Sequence, residues 1–214
     1  MELFTAVELF TQAITYLMIV AGFPSCISMI RTKNTKGVPY PYFLAGTVNS
    51  TVSIAYGLLV NNPTLVQINV FATCCNLFYI LSFIFISRSK RKPVTQVLAC
   101  GAIVLCIYLY TTKLIQPSAM QDTFGVILLM CSTVLLLTPL LAVKQSIDDK
   151  SAANIPISML IPGLLCCSSW FLYGFLLNDV YIYGPNILGT SSMVCQVGAI
   201  LVYGTKSTER PHAE

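Results

Sequence analysis

Seven long runs without a charged residue set the limits on this chain: near 9–30, 38–60, 64–87, 94–112, 123–143, 153–177 and 180–203. A bilayer-spanning helix needs roughly 20 predominantly apolar residues, and each run is of that length. The turns between them are short and carry Gly, Pro, Asn or charges. No strand-like alternation is present, so the sequence predicts seven transmembrane helices in an all-α membrane protein rather than a barrel. Only 9% of the 214 residues are charged, against about 25% in soluble domains. That excludes an ordinary cytosolic enzyme and leaves no length for a soluble catalytic domain. The N-terminal stretch has Glu2 and Glu8 as its only charges, lacks a basic leader and shows no clear small-residue cleavage site, so the first run reads as a span.

The few charges carry topological information. Arg31, Lys33, Lys36, Arg88, Lys90, Arg91, Lys92, Lys144, Lys150, Lys206 and Arg210 fall on one side of the alternating turns, and Lys113 alone falls on the other. The excess of Lys and Arg marks the cytosolic side. The expected topology is a multi-pass protein with its N-terminus extracellular or lumenal and its C-terminus cytosolic, in the plasma membrane or Golgi. The net charge of +4 largely follows from this asymmetry and requires no nucleic acid partner. The block 88–92 can also meet anionic lipid headgroups. All nine cysteines lie within apolar runs, where they serve as small packing residues rather than as disulfides or metal ligands. Asn49-Ser50-Thr51 matches a glycosylation acceptor but lies inside a span, out of reach of the transferase.

The chain repeats itself. Residues 38–70 align with 155–187 at a constant offset of 117, with seven identical pairs: Pro39/Pro156, Gly46/Gly163, Tyr56/Tyr173, Gly57/Gly174, Leu59/Leu176, Asn61/Asn178 and Asn69/Asn186. The matches include a proline at the start of a span, a Tyr-Gly pair and an Asn within an apolar run, which chance alignment of Leu-rich sequence does not favour. Pro24 and Pro139 correspond with a difference of two residues in loop length. The expected organisation is a three-helix repeat over 1–90, a linker helix over 91–118, a second three-helix repeat over 119–205 and a cytosolic tail over 206–214. A unit of three spans is inverted in its second copy unless one further crossing restores its direction, so this 3+1+3 order gives parallel bundles.

The segments Gly22-Phe23-Pro24-Ser25, Gly37-Val38-Pro39-Tyr40-Pro41, Tyr56-Gly57, Asn154-Ile155-Pro156, Ser169-Trp170-Phe171-Leu172-Tyr173-Gly174 and Pro185-Asn186 resemble the SWEET sugar transporters of the PQ-loop superfamily. The resemblance covers roughly residues 10–205. The Pro-Gln dipeptide that names the superfamily is absent, since Ser25 follows Pro24 and Leu140 follows Pro139; that departure favours the sugar branch. The resemblance implies facilitative, bidirectional movement of a sugar by alternating access, with a monosaccharide such as glucose as the expected solute. It implies no cofactor and leaves a homo-oligomer open. A PQ-loop carrier of another solute, such as an amino acid, and a seven-helix receptor are the competing readings. No nucleophile–base pair, metal cluster or phosphate loop suggests an enzyme.

Two constellations carry the transport reading. Pro24, Pro39, Pro139 and Pro156 all lie within a few residues of basic turns, at a common depth. Proline within a helix removes a hydrogen bond and bends the axis; the resemblance makes these four the hinges of the inner gate, while ordinary kinks are the alternative. Ser53 and Asn69 lie eight residues either side of Asn61, and Trp170 and Asn186 lie eight either side of Asn178. All four thus share one depth, roughly 12 Å from the outer boundary at 1.5 Å per residue. Asn offers donors and acceptors to sugar hydroxyls, indole offers a flat face to C–H bonds, and Ser53 leaves volume. The resemblance assigns the substrate site to positions matching Asn69, Asn186, Trp170 and Ser53. Interhelical hydrogen bonding for the Asn pair, and packing for Trp170, are the alternatives. Tyr56 and Asp179 match residues that close the outer gate by a hydrogen bond, and Tyr173 is the repeat mate of Tyr56. An interfacial aromatic and a helix N-cap explain the first two equally simply. No Asp, Glu, Lys, Arg or His lies in the middle of a span, which disfavours proton coupling.

Overall fold

The computed structural model describes residues 2–35 and 38–205. Lys36, Gly37 and the tail expected over 206–214, with Lys206, Arg210 and His212, lie outside the described residues. The rest is helical: α1 (Glu2–Val20), α2 (Phe23–Thr32), α3 (Tyr40–Leu59), α4 (Pro63–Ile86), α5 (Arg91–Leu109), α6 (Met120–Leu137), α7 (Pro139–Asp149), α8 (Ile157–Leu176) and α9 (Val180–Tyr203). A π turn over Tyr110–Leu114 and a short 3-10 turn over Pro117–Ala119 join α5 to α6.

Six helical stretches among the described residues are long and apolar enough to cross a membrane: Glu2–Thr32, Pro63–Ile86, Arg91–Leu114, Pro117–Asp149, Ile157–Leu176 and Val180–Tyr203. The seventh expected span, α3, matches α8 in length but carries Thr47, Asn49, Ser50, Thr51 and Ser53 and is the less apolar of the two. Exposure is inverted relative to a soluble protein. Phe85 and Leu201 are 82% and 80% exposed, while Thr11, Ser146 and Ser192 are buried. Lipid is the solvent that suits such a surface.

Two expected spans are each broken in two. The run over 9–30 parts after α1 at Ala21-Gly22, and the run over 123–143 parts after α6 at Thr138. Pro24 and Pro139 lie in the first turns of α2 and α7, and Pro39 and Pro156 are the residues just before α3 and α8. The expectation of prolines inside helices is therefore corrected to prolines at helix starts. The physical reason is that the first turn of a helix has no intrahelical acceptor for its N–H groups, so a missing N–H costs nothing there. Within helices, proline occurs at Pro162 and Pro185.

The offset of 117 extends to the backbone. Among the described residues, the four non-glycine positions with positive φ are Lys33 (50°), Asn61 (52°), Lys150 (52°) and Asn178 (55°), two pairs separated by that offset. The turns at Asn61 and Asn178 match bond for bond. Asn62 N–H donates to Gly57 O at 2.8 Å and Asp179 N–H to Gly174 O at 2.9 Å; Val60 N–H donates to Tyr56 O at 3.0 Å and Leu177 N–H to Tyr173 O at 3.1 Å. Asn tolerates the left-handed region better than most residues, which is why it recurs there. The glycines matter for a different reason. A Cβ on Gly57 would lie 2.9 Å from Val66 Cγ2, and one on Gly174 would lie 2.7 Å from the backbone N of Tyr183. The helix pairs α3–α4 and α8–α9 close on these two points.

The chain divides into two compact units, one over Glu8–Leu135 and the other built from Leu136 onward together with the residues up to Val7. In the first, Cys26, Met29, Cys75 and Tyr79 form a core under α2 and α4, and Tyr40, Leu44 and Ile80 form another beside α5. Tyr40 Oη donates to Pro93 O at 2.9 Å, tying the start of α3 to α5. In the second, Ala152, Ile155, Leu160 and Ala199 form the core beneath the α7–α8 loop. Asn154 holds that loop: it accepts from Ser146 Oγ at 2.8 Å and donates to Ala142 O at 3.0 Å.

Candidate functional site

Side-chain contacts fix the register of each helix pair. In the first unit Gly46 faces Asn76, Ser50 Oγ meets Thr73 Oγ1 at 2.8 Å, and Gly57 faces Leu65 and Val66. That antiparallel register places Ser53 opposite Asn69. In the second unit Gly163 faces Met193 and Gly174 faces Ile182, which places Trp170 opposite Asn186. Each predicted pair thus occupies one level of one helix pair.

The two asparagines are held alike. Asn69 Nδ2 donates to Leu65 O at 2.8 Å, and Asn186 Nδ2 donates to Ile182 O at 2.7 Å. Both are half-buried. A polar group at membrane depth without a partner is costly, and the bond to its own helix meets part of that demand. It also fixes the amide plane and leaves Oδ1 and one N–H of each amide for a solute. Ser53 is buried and gives its hydroxyl to Asn49 O at 2.8 Å, so it contributes little beyond its small volume. Trp170 is half-buried and meets Tyr173 edge-on at 5.7 Å; Phe4 stacks on the same tyrosine at 5.7 Å.

Tyr56 and Tyr173 are each 2% exposed, which does not fit interfacial belt residues. Asp179 is the N-cap of α9, accepting the Tyr181 N–H at 3.0 Å, as its repeat mate Asn62 accepts the Leu65 N–H at 2.9 Å. Tyr56 belongs to the first unit, and Tyr173 and Asp179 belong to the second. Pro24, Pro39 and Pro156 are exposed and Pro139 is half-buried.

Several polar contacts have no counterpart in the sequence reading. Thr64 donates to Glu8, and Gln12 Nε2 donates to Thr64 Oγ1 at 3.0 Å, linking α1 to α4. Ser132 Oγ donates to Asn49 Oδ1 at 2.8 Å, so the rejected glycosylation asparagine is an interhelical acceptor. Ser192 Oγ donates to Leu136 O at 2.9 Å and Gln196 Nε2 to Pro139 O at 3.0 Å. The signal available was a polar residue within an apolar run whose repeat mate differs, as Gln196 differs from Tyr79. Among the described residues no group of three or more His, Cys, Asp or Glu could hold a metal ion.

Apolar helices with polar residues turned inward, in two matching copies, define an all-helical multi-pass membrane protein. The family described as "Sugar efflux transporter for intercellular exchange" matches the chain twice, over residues 5–91 and 122–208. The chain belongs to this family, the SWEET transporters. Its relatives include the sugar transporter SWEET1 of Rattus norvegicus, 30% identical over 80% of this chain and 78% of that protein. SWEET1 of Mus musculus is 28% identical over 87% and 85% of the respective chains. The bidirectional sugar transporter SWEET10 of Arabidopsis thaliana is 27% identical over 92% and 71%. The fold is similar to the structure of a eukaryotic SWEET transporter, with a TM-score of 0.84 over 95% of this chain and 97% of that one, at 20% identity.

Proposed function

We propose that this protein carries a monosaccharide such as glucose across a membrane in either direction, as a uniporter working by alternating access. The observation that carries the reading is the mirrored pair Asn69 and Asn186, whose amides are fixed by identical helix bonds and present the same acceptor and donor in each copy. Hydroxyl-rich solutes suit such amides. Trp170 supplies an apolar face for the C–H side of the ring, and Ser53 is small and leaves volume. Pro24, Pro39, Pro139 and Pro156 act as hinges of the inner gate, and Tyr56, Asp179 and Tyr173 act at the outer one.

The same reading takes the 3+1+3 order, with repeats over 1–90 and 119–205 and a linker over 91–118. The N-terminus lies outside or in a lumen, the C-terminus in the cytosol, and the host membrane is the plasma membrane or Golgi. The repeated element bounds and the skew of basic residues support it.

Uptake of labelled hexose into proteoliposomes, with and without a pH gradient, tests the function. Flux that ignores the gradient is expected. Flux that requires it contradicts uniport, and no hexose flux at all points to a carrier of another solute or a receptor. Pro24→Ala and Pro139→Ala should each lower flux while leaving insertion intact. Unchanged flux in single Ala variants of all four prolines would end the hinge assignment.

A further inference from the structure

The two helix breaks are held differently, and the difference bears on which of them moves. Beside the break between α6 and α7, α9 sends one side chain to each flank. Ser192 Oγ lies 2.9 Å from Leu136 O in the last turn of α6 and 2.7 Å from Gly189 O of its own helix, so its single hydrogen is shared between the two carbonyls. One turn further along α9, Gln196 Nε2 donates to Pro139 O, the first residue of α7, at 3.0 Å. Ser192 and Gln196 are 1% and 6% exposed, so neither bond is open to exchange with solvent. Because the donors share one face of a single helix (spacing i, i+4), they tie Leu136 and Pro139, the residues flanking the break, to a common strut.

Among the described residues, the break between α1 and α2 shows one such bond. Tyr79, the repeat mate of Gln196, donates its hydroxyl to Ile19 O at 3.1 Å, on the α1 side. Cys75, the mate of Ser192, supplies a thiol where the other copy has a hydroxyl. On the α2 side, α4 offers apolar and aromatic packing: Cys26 and Met29 against Cys75 and Tyr79, and Phe23 edge-on to Tyr79 at 5.3 Å. At this break Ala21 N–H reaches Leu17 O at 2.9 Å, but the next bonds are longer, Gly22 N–H to Ile19 O at 3.4 Å and Cys26 N–H to Gly22 O at 3.3 Å, against 3.1 Å from Leu141 N–H to Thr138 O in the other copy. Apolar contacts slide with little loss, but a directed hydrogen bond in a dry setting must break before its helix turns.

We propose that Gln196 and Ser192 are positioning residues that clamp the α6–α7 break, so that α2 makes the larger hinge movement of the transport cycle and α7 moves with α9. The proposal rests on the transport reading above. Spin labels carried by non-natural residues, which spare the native cysteines, at Ile30 with Phe85 and at the repeat-equivalent Ile147 with Val202 report the two hinges; all four positions are exposed. In proteoliposomes the α2–α4 distance distribution should be at least about twice as wide as the α7–α9 one, and glucose should shift only the former. Gln196→Leu with Ser192→Ala should widen the α7–α9 distribution to match, while Tyr79→Phe leaves it unchanged. For hexose exchange, Gln196→Leu should change turnover while leaving the half-saturation concentration unchanged, because the residue acts on the hinge rather than on the sugar.

Equal widths and equal sugar responses in the unsubstituted protein would overturn the clamp, even if Gln196→Leu failed to insert. So would a widened α7–α9 distribution absent from the double variant. The widths are measured without sugar as well as with it. A protein that shows unequal widths but no hexose flux therefore loses the sugar assignment and keeps the clamp, and one that shows flux with equal widths does the reverse.

Discussion

The Asn turns and the helix breaks of the two copies have diverged to different degrees. At the turns the copies agree in φ, in having an accepting N-cap side chain and in backbone bonds, at Asn61 and Asn62 as at Asn178 and Asp179. Beside the breaks the same offset pairs Tyr79 with Gln196, Cys75 with Ser192 and Asn76 with Met193, and the contacts differ accordingly. A turn with a left-handed residue and a glycine contact admits few sequences, so both copies keep them. A helix break needs only some donor near its carbonyls, and many side chains meet that need.

The largest effect expected from this comparison is at the glycines. Gly174→Ala should destabilise by about 3 kcal/mol, because its Cβ meets backbone, and Gly57→Ala by about 1 kcal/mol, because Val66 can yield. Thermal unfolding in detergent measures both, and equal shifts would break the claim that α8 and α9 pack the closer of the two pairs. Next come the amides. Asn69→Ala and Asn186→Ala should each raise the half-saturation for hexose exchange about tenfold, the equivalent of about 1.4 kcal/mol. Widely different values would show that mirrored geometry does not mean shared work. Thr64→Val removes the hydroxyl shared by Glu8 and Gln12 and should cost about 1 kcal/mol, again read by thermal unfolding. Smallest, and sharpest as a test of equivalence, Asn61→Ala and Asn178→Ala should each cost roughly 1 kcal/mol or less, and by the same amount.

Much of this was legible in the sequence for physical reasons. Uncharged length gives spans, and a fixed offset between rare matches gives the repeat, down to the left-handed Asn61 and Asn178 that the backbone pairs. Ser53 and Asn69, equidistant from Asn61 in the sequence, do stand at one level of α3 and α4. The breaks were harder to place. An apolar run reads as one helix, and whether a proline lies inside a helix or begins the next depends on where the upstream segment stops. Pro24 and Pro139 do not announce that alone. The donors on α9 were illegible because their acceptors are backbone carbonyls 56 and 57 residues away, for Ser192 and Gln196 respectively, and carbonyls carry no sequence signature. α3 was read as equal to the other spans, yet its row of hydroxyls with Asn49 leaves it outside the stretches apolar enough to cross a membrane.

The bond from each of Asn69 and Asn186 to its own helix also bears on speed. With the amide plane set when the helix forms, little side-chain freedom remains to be lost when a solute arrives. On the proposed reading, a few hydrogen bonds at about 1 kcal/mol each and one ring face place the affinity near the millimolar range. A carrier moving solute down its gradient is served by that weakness, since tight capture would slow release on the far side.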